Sequence, residues 1–214
     1  MTESWDDSYT GGSPPPWDIG RPQPAFARLA EDGLLAGRLL DAGCGTGENT
    51  LLAAAHGAQA TGVDGAPTAI ERARAKAAER GLQARFEVGD VLDLRRLGLT
   101  VDTVIDSGVF HVFSDEDRPR YVSSLAAVLR EGGTCYLMCF SEHQPGTWGP
   151  RRVSQDELRA AFTDGWQVVS IVPGTFDINP FQDVATVQDS PTVQAWLATI
   201  RRTEAALSDP DHLP

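Results

Sequence analysis

Arg38-Leu-Leu-Asp-Ala-Gly-Cys-Gly-Thr-Gly47 is the stretch that decides the fold. A short apolar run ends in Gly43, Gly45 and Gly47, and a helical pattern then runs from Glu48 to about His56. Strand, glycine loop and helix in that order open a doubly wound α/β domain. The glycines permit a sharp backbone turn and bring amide groups close to a ligand. The start of the helix adds partial positive charge there.

Two ligand classes use such a loop. A dinucleotide site wants G-x-G-x-x-G, and here the third glycine position holds Glu48. Asp41 stands two residues before Gly43, where a carboxylate would repel a pyrophosphate and suit a cation. Asp64 ends a second apolar run, Gln59 to Asp64, at the place where an acid accepts from ribose hydroxyls. Asp90 and Asp106 end two later runs. Four carboxylates at strand ends call for a ligand with hydroxyls and positive charge. S-adenosylmethionine has a ribose, a sulfonium and an ammonium. The plain alternative is a tight turn without a ligand; the recurrence of the acid from strand to strand argues against it.

Working outward, Pro14 to Pro24 carries five prolines and leads with an extended, stiff Pro-Pro-Pro-Trp17. It reads either as a linker that packs one tryptophan or as a lid laid over the ligand, with Gly11 and Gly12 as its hinge. Helices are expected over Ala25–Ala36, from Pro67 to Arg80 with Gly81 as its stop, from Ser114 to about Arg130 with Gly132-Gly133 as its stop, and from Ser154 to Asp164. Ser154 and Glu157 have capping-box spacing. Further strands are expected over 84–88, 101–106, 134–140, 166–172 and 193–201, with residues 173–192 irregular. The domain plan is an N-terminal extension and lid over 1–24, one α/β domain over 25–203 and a flexible tail over 204–214.

Composition bounds the function. The 214 residues are 41% hydrophobic, enough for one domain with a full core, and carry a net charge of -12. No basic cluster exceeds two adjacent arginines, so a nucleic-acid or anionic-membrane partner is not expected. Cys44, Cys135 and Cys139 form no C-x-x-C pair, and their odd number speaks against a disulfide framework. Cys135 and Cys139 share strand parity and should face one side of the sheet. The polar start of the chain is no signal peptide and no apolar run reaches membrane-spanning length, so a cytoplasmic protein, monomer or homodimer, is expected.

Asp-x-Gly-x-Gly-x-Gly over 41–47 resembles the first motif of class I S-adenosylmethionine-dependent methyltransferases. Three further stretches, Pro16–Pro24, Val101–Phe113 with Arg118–Tyr121, and Leu129–Phe140, resemble the thiopurine and halide/thiol methyltransferase branch. The resemblance implies a Rossmann-like seven-stranded, mostly parallel sheet with helices on both faces and its last strand antiparallel. It implies methyl transfer to a small-molecule acceptor such as a thiol, phenol, hydroxy-heterocycle, ring nitrogen or halide, with no metal. It places Asp41, Gly43, Cys44 and Gly45 at the methionine end of the donor, Asp64 and Gly65 at the ribose, Asp90 and the Val91 amide at the adenine edge, and Asp106 and Ser107 beside the sulfonium, with Trp17 across the donor. His111 is the histidine at this edge and, with Asp106, the candidate for acid–base work on the acceptor. Its alternative is packing against Phe110 and Phe113, which would then wall the acceptor pocket. Two other functions stay open at this point: a non-catalytic donor-binding subunit of the same fold, and an NAD-linked oxidoreductase, disfavoured by Glu48 and the acid series.

Overall fold

The computed structural model describes residues 5–11, 13–179 and 192–204. Seven strands form one sheet: β1 (Arg38–Ala42), β2 (Gln59–Asp64), β3 (Arg85–Val88), β4 (Val101–Ser107), β5 (Leu129–Phe140), β6 (Trp166–Asp177) and β7 (Thr192–Arg202). Their order is β3-β2-β1-β4-β5-β7-β6. Neighbours from β3 to β5 are parallel, and β7 runs antiparallel between β5 and β6. The helices are α1 (Asp7–Thr10), α2 (Pro24–Glu31), α3 (Glu48–Ala55), α4 (Pro67–Arg80), α5 (Arg118–Ala126) and α6 (Gln155–Ala161). Strand order reverses between β1 and β4, and the crevice at the carboxyl ends of those strands is where an open α/β sheet binds its ligand.

Alternation along the buried strands sends side chains into two cores. Leu40, Val104, Cys135, Leu137 and Cys139 meet α5 and α6 on one face, so the two cysteines share a side as expected. Leu39, Ile105, Tyr136 and Met138 meet α2 and α3 on the other. Both faces of the centre are covered, which is why these strands read as continuous apolar runs.

Several boundaries differ from the sequence expectations. Helix α2 stops at Glu31, because Gly33 turns left-handed and Leu34 donates back to the Leu29 carbonyl. Helix α5 starts at Arg118, four residues after Ser114, whose hydroxyl accepts from the Asp117 amide. It ends at Ala126, and Leu129 to Gly133 belong to β5. Leu129 pairs with Val101, after which the register slips through an irregularity at Gly132 and Gly133. A side chain at Gly133 would lie 2.6 Å from Leu129 Cδ1 and 2.8 Å from the Arg130 carbonyl, so this glycine pair serves a bulge and not a helix stop. Helix α6 ends at Ala161, short of Asp164, while its capping box forms as expected. Strand β6 runs five residues past Val172; it is the sheet edge, where Pro173 costs no ladder hydrogen bond on its open side. The segment 180–191 and the tail 205–214 lie outside the described residues, as does Gly12 of the expected hinge.

Candidate functional site

All three loop glycines take left-handed backbone angles: φ is 72° at Gly43, 51° at Gly45 and 85° at Gly47. The amides do not point at open space. Gly43 and Cys44 donate to the Val63 carbonyl at 2.8 and 2.9 Å, Gly45 donates to Asp64 Oδ2 at 2.8 Å and Gly47 to the Cys44 carbonyl at 2.9 Å. The expectation that this loop offers amides to a ligand is therefore corrected: those four N–H groups are already engaged within the β1–β2 edge. A pyrophosphate would need them.

The acids behave differently from one another. Asp41 is buried; Oδ2 accepts from Thr50 Oγ1 at 2.7 Å, while Oδ1 is buried with no hydrogen-bond partner. Burial, with Asp64 and Asp106 nearby, pushes this carboxyl up to about 7. Asp64 accepts from Ala66 N at 2.9 Å and Gly45 N at 2.8 Å, leaving lone pairs on both oxygens, and burial raises it. Gly65 beside it is exposed, and a side chain there would touch only the Gly89 carbonyl, at 3.9 Å. Asp90 is exposed and caps a 3-10 helix over Val91–Leu97 by accepting from Leu92 N at 2.9 Å; Val91 is half-buried. Ser107 is half-buried at the end of β4.

Asp106 does not face the crevice. It is fully buried and accepts from Val109 N at 2.7 Å, Phe110 N at 3.1 Å and Tyr121 Oη at 2.9 Å. Its carboxylate pins the turn after β4, which corrects both its catalytic and its sulfonium-side placement. Cys44 also turns away: its thiol lies against Gly62 and donates weakly to the Gly45 carbonyl, and burial raises it. Glu48, which displaced the dinucleotide glycine, bonds Lys76 and Arg80 of α4 at 2.8 Å each.

His111 is buried, and its Nδ1 accepts from the Phe140 amide at 3.0 Å. Burial, with Arg118 and Arg152 adding to it, pushes the imidazole down to about 3. It packs edge-on to Phe140 at 4.9 Å and to Phe176 at 6.0 Å. Trp148 meets Phe140 at 5.9 Å. This apolar wall was not legible in sequence. Phe110 and Phe113, expected there, face α5 and α6 instead, against Phe162 and Tyr121. Arg152 lies over Phe140 and donates to the carbonyls of Gln144, Pro145, Gly146, Trp148 and Pro150, which fixes the loop after β5.

Residues 39–133 match a methyltransferase domain family. A 2-heptyl-1-hydroxyquinolin-4(1H)-one methyltransferase of Mycobacteroides abscessus is 38% identical over 86% of this chain and 87% of its own. The chain belongs to the class I S-adenosylmethionine-dependent methyltransferases. A probable thiol methyltransferase of Arabidopsis thaliana is 28% identical over 82% of this chain and 79% of its own. A structure solved in work on the conversion of a disulfide bond into a thioacetal group during echinomycin biosynthesis superposes with a TM-score of 0.82. It is 39% identical, covering 95% of this chain and 93% of the other. The protein is thus a methyltransferase for small-molecule acceptors, with S-adenosylmethionine as its cofactor.

The residues of this methyltransferase fit that donor. A buried carboxylate oxygen without a partner, beside two further acids, favours a cation, and the amides a phosphate would need are engaged. Among the described residues no His, Cys, Asp and Glu group could hold a metal ion.

The N-terminal segment packs on this edge. Asp6 accepts from Thr68 N and Oγ1 at the start of α4, and Arg72 donates to the Tyr9 carbonyl at 2.7 Å. Tyr9, missed in the sequence as an aromatic in a polar run, is buried against Ala66 and Ala69. Trp17 Nε1 donates to its hydroxyl at 2.9 Å, while Trp17 as a whole stays 47% exposed. A side chain at Gly45 would meet that hydroxyl at 2.9 Å, so within the N-terminal segment it is Tyr9, rather than Trp17, that touches the glycine loop. Asp18 accepts from Thr46 Oγ1 at 2.7 Å, and Asn179 donates to the Pro16 and Asp18 carbonyls. The Gln23 side-chain amide pairs with both backbone groups of Asp177, at 2.9 Å each.

Proposed function

We propose that this methyltransferase binds its donor along the ends of β1, β2 and β3 and methylates a small aromatic or thiol acceptor held against Phe140, Trp148 and Phe176. The observation that carries the reading is the unpartnered, buried Oδ1 of Asp41 beneath a glycine loop whose amides are engaged. Asp41, Gly43 and Gly45 take the methionine end, Asp64 and Gly65 the ribose, Asp90 and Val91 the adenine edge, and Ser107 the side facing the acceptor. The acceptor class draws on the relatives, one a hydroxyquinolinone methyltransferase and one a probable thiol methyltransferase. When bound, the donor supplies an activated methyl group. The protein's part is to align acceptor and methyl carbon and to keep water out, and positioning of this kind lowers a barrier by roughly 7–11 kcal/mol.

The described residues of the N-terminal segment act as a strap over the donor, tied by Asp6 and Tyr9 to α4, by Asp18 to the loop after β1 and by Gln23 to the end of β6. The net charge of -12 supports action without nucleic acid, and three free thiols support a reducing cytoplasm, as monomer or homodimer. No helix among the described residues is long and apolar enough to cross a membrane. A screen of thiols, phenols, N-hydroxy-heterocycles and halide with methyl-labelled donor tests the reading. Label transfer to an aromatic hydroxyl or thiol is expected; transfer to halide alone would contradict the aromatic wall.

A further inference from the structure

The sequence nominates two side chains at this edge, Asp106 and His111, to take a proton from an acceptor, and the geometry removes both. Asp106 already accepts three hydrogen bonds. His111 has its Nδ1 lone pair on the Phe140 amide. A neutral imidazole that accepts at Nδ1 carries its hydrogen at Nε2, so the far nitrogen is a donor. That edge of the ring lies against Gly108, where an added Cβ would sit 3.3 Å from Nε2 and from Cε1, and towards Phe176. Gly108 itself is fixed, with its amide on the Met138 carbonyl. The charged groups acting on the ring are both cationic: Arg118 at the start of α5 and Arg152 in the loop after β5. Arg118 is buried, with Glu157 and, at 3.7 Å, Asp115 as carboxylate partners for one nitrogen and two other nitrogens unpartnered. Arg152 has carbonyl partners and, among the described residues, no carboxylate. Protonating His111 would place a third cation between them.

We propose that His111 is a fixed N–H donor and no base, and that the acceptor is methylated as an anion it has already formed in water. This rests on the methyl-transfer reading above. The acceptor class narrows to groups acidic enough to ionise unaided near neutral pH: aromatic thiols, N-hydroxy-heterocycles and electron-poor phenols. The proton leaves to solvent before transfer. The acceptor's oxygen or sulfur lone pair then forms the new bond to the methyl carbon, the carbon–sulfur bond breaks, and its electron pair neutralises the sulfonium. The Nε2–H bonds the acceptor heteroatom or a neighbouring carbonyl oxygen and orients it.

The test has two arms. In the first, nitrogen-15 imidazole spectra of the donor-loaded protein are followed from pH 5 to 9. The Nε2–H tautomer should persist unchanged across the range; a titrating ring or an Nδ1–H tautomer would overturn the proposal without reference to turnover. In the second, kcat/KM for the acceptor is measured against pH for thiophenol and 4-nitrothiophenol, with labelled donor saturating at every pH so that donor binding adds no midpoint of its own. The midpoint should move with the acidity of the thiol, whereas an enzyme base would hold it fixed. His111→Gln keeps a donor near Nε2 and should stay within about tenfold of the parent, while His111→Asn keeps the Phe140 bond, lacks the far donor and should lose about 100-fold. Equal losses in the two variants would overturn the donor role. A protein that binds donor and methylates no acidic probe would refute the acceptor class; one that binds no donor would refute the methyl-transfer reading instead.

Discussion

Asp41 and Asp106 end adjacent parallel strands, both are buried, and burial pushes both carboxyls up to about 7. Sequence spacing treats them alike, but their surroundings do not. Asp106 accepts from two backbone amides and Tyr121; Asp41 accepts from Thr50 and leaves one oxygen bare. A satisfied buried carboxylate holds structure together. A half-satisfied one is costly in the free protein and becomes favourable only when a cation arrives. In the function proposed above, the two strand ends thus separate a residue that serves folding from one that serves the ligand.

Alanine substitution should break the comparison most visibly. Asp106→Ala leaves three buried donors unpaired, each worth about 1–3 kcal/mol, and should destabilise the fold by roughly 3 kcal/mol or more. Asp41→Ala frees only the Thr50 hydroxyl and should cost about 1 kcal/mol or less. Denaturant unfolding of the two variants checks this; equal losses would erase the distinction. Next in size, Asp64→Ala should weaken donor binding more than tenfold, because the ribose loses a charged acceptor worth roughly 1.5–3 kcal/mol. Calorimetry on the folded variant reads it.

The pH dependence sharpens the same contrast. A carboxyl raised in the folded state is ionised more readily in the unfolded chain, so it favours folding at low pH. That contribution is complete below the unfolded value near 4 and is lost as pH rises through about 7. The ligand-free melting temperature should therefore fall between about pH 4 and 7 and level off above, and Asp41→Asn should flatten part of that slope while raising stability at pH 8. The smallest effect is expected at the strap. Tyr9→Phe removes the acceptor of the Trp17 hydrogen bond, about 1 kcal/mol, and should lower the melting temperature by a few degrees. Trp17→Phe should remove part of any tryptophan fluorescence change on donor binding.

What was legible in the sequence follows the same division. The glycine loop, the four acids and their strands were readable because spacing along one strand–loop–helix unit fixes them. The use of the loop amides was not, since it depends on a carbonyl of β2, Val63, that no local pattern announces. Asp106 looked like a ligand residue because its partners come from the next turn and from α5. Its grip on Val109 and Phe110 also sets the 3-10 turn Phe110–Val112, which sends Phe110 and Phe113 into the core. Gly132 and Gly133 carried the same symbols as a helix stop, and only pairing with β4 shows a bulge. The aromatic wall draws on three separate elements, β5, β6 and the loop between β5 and α6, so its members share no spacing. Tyr9 gave one faint signal, an aromatic two residues after the acid pair Asp6-Asp7 in a polar segment.

In the function proposed above, the bare oxygen of Asp41 receives the donor's positive charge. The direct test is calorimetric titration of S-adenosylmethionine into the parent protein and Asp41→Asn from pH 6 to 8.5. In the parent, affinity should rise with pH up to about 7 and then level off, with proton release on binding below that point, because the carboxyl must ionise to meet the cation. In the variant, affinity should fall by about tenfold or more and lose its pH dependence. Equal affinities at pH 8, or an unchanged pH profile in the variant, would contradict the account.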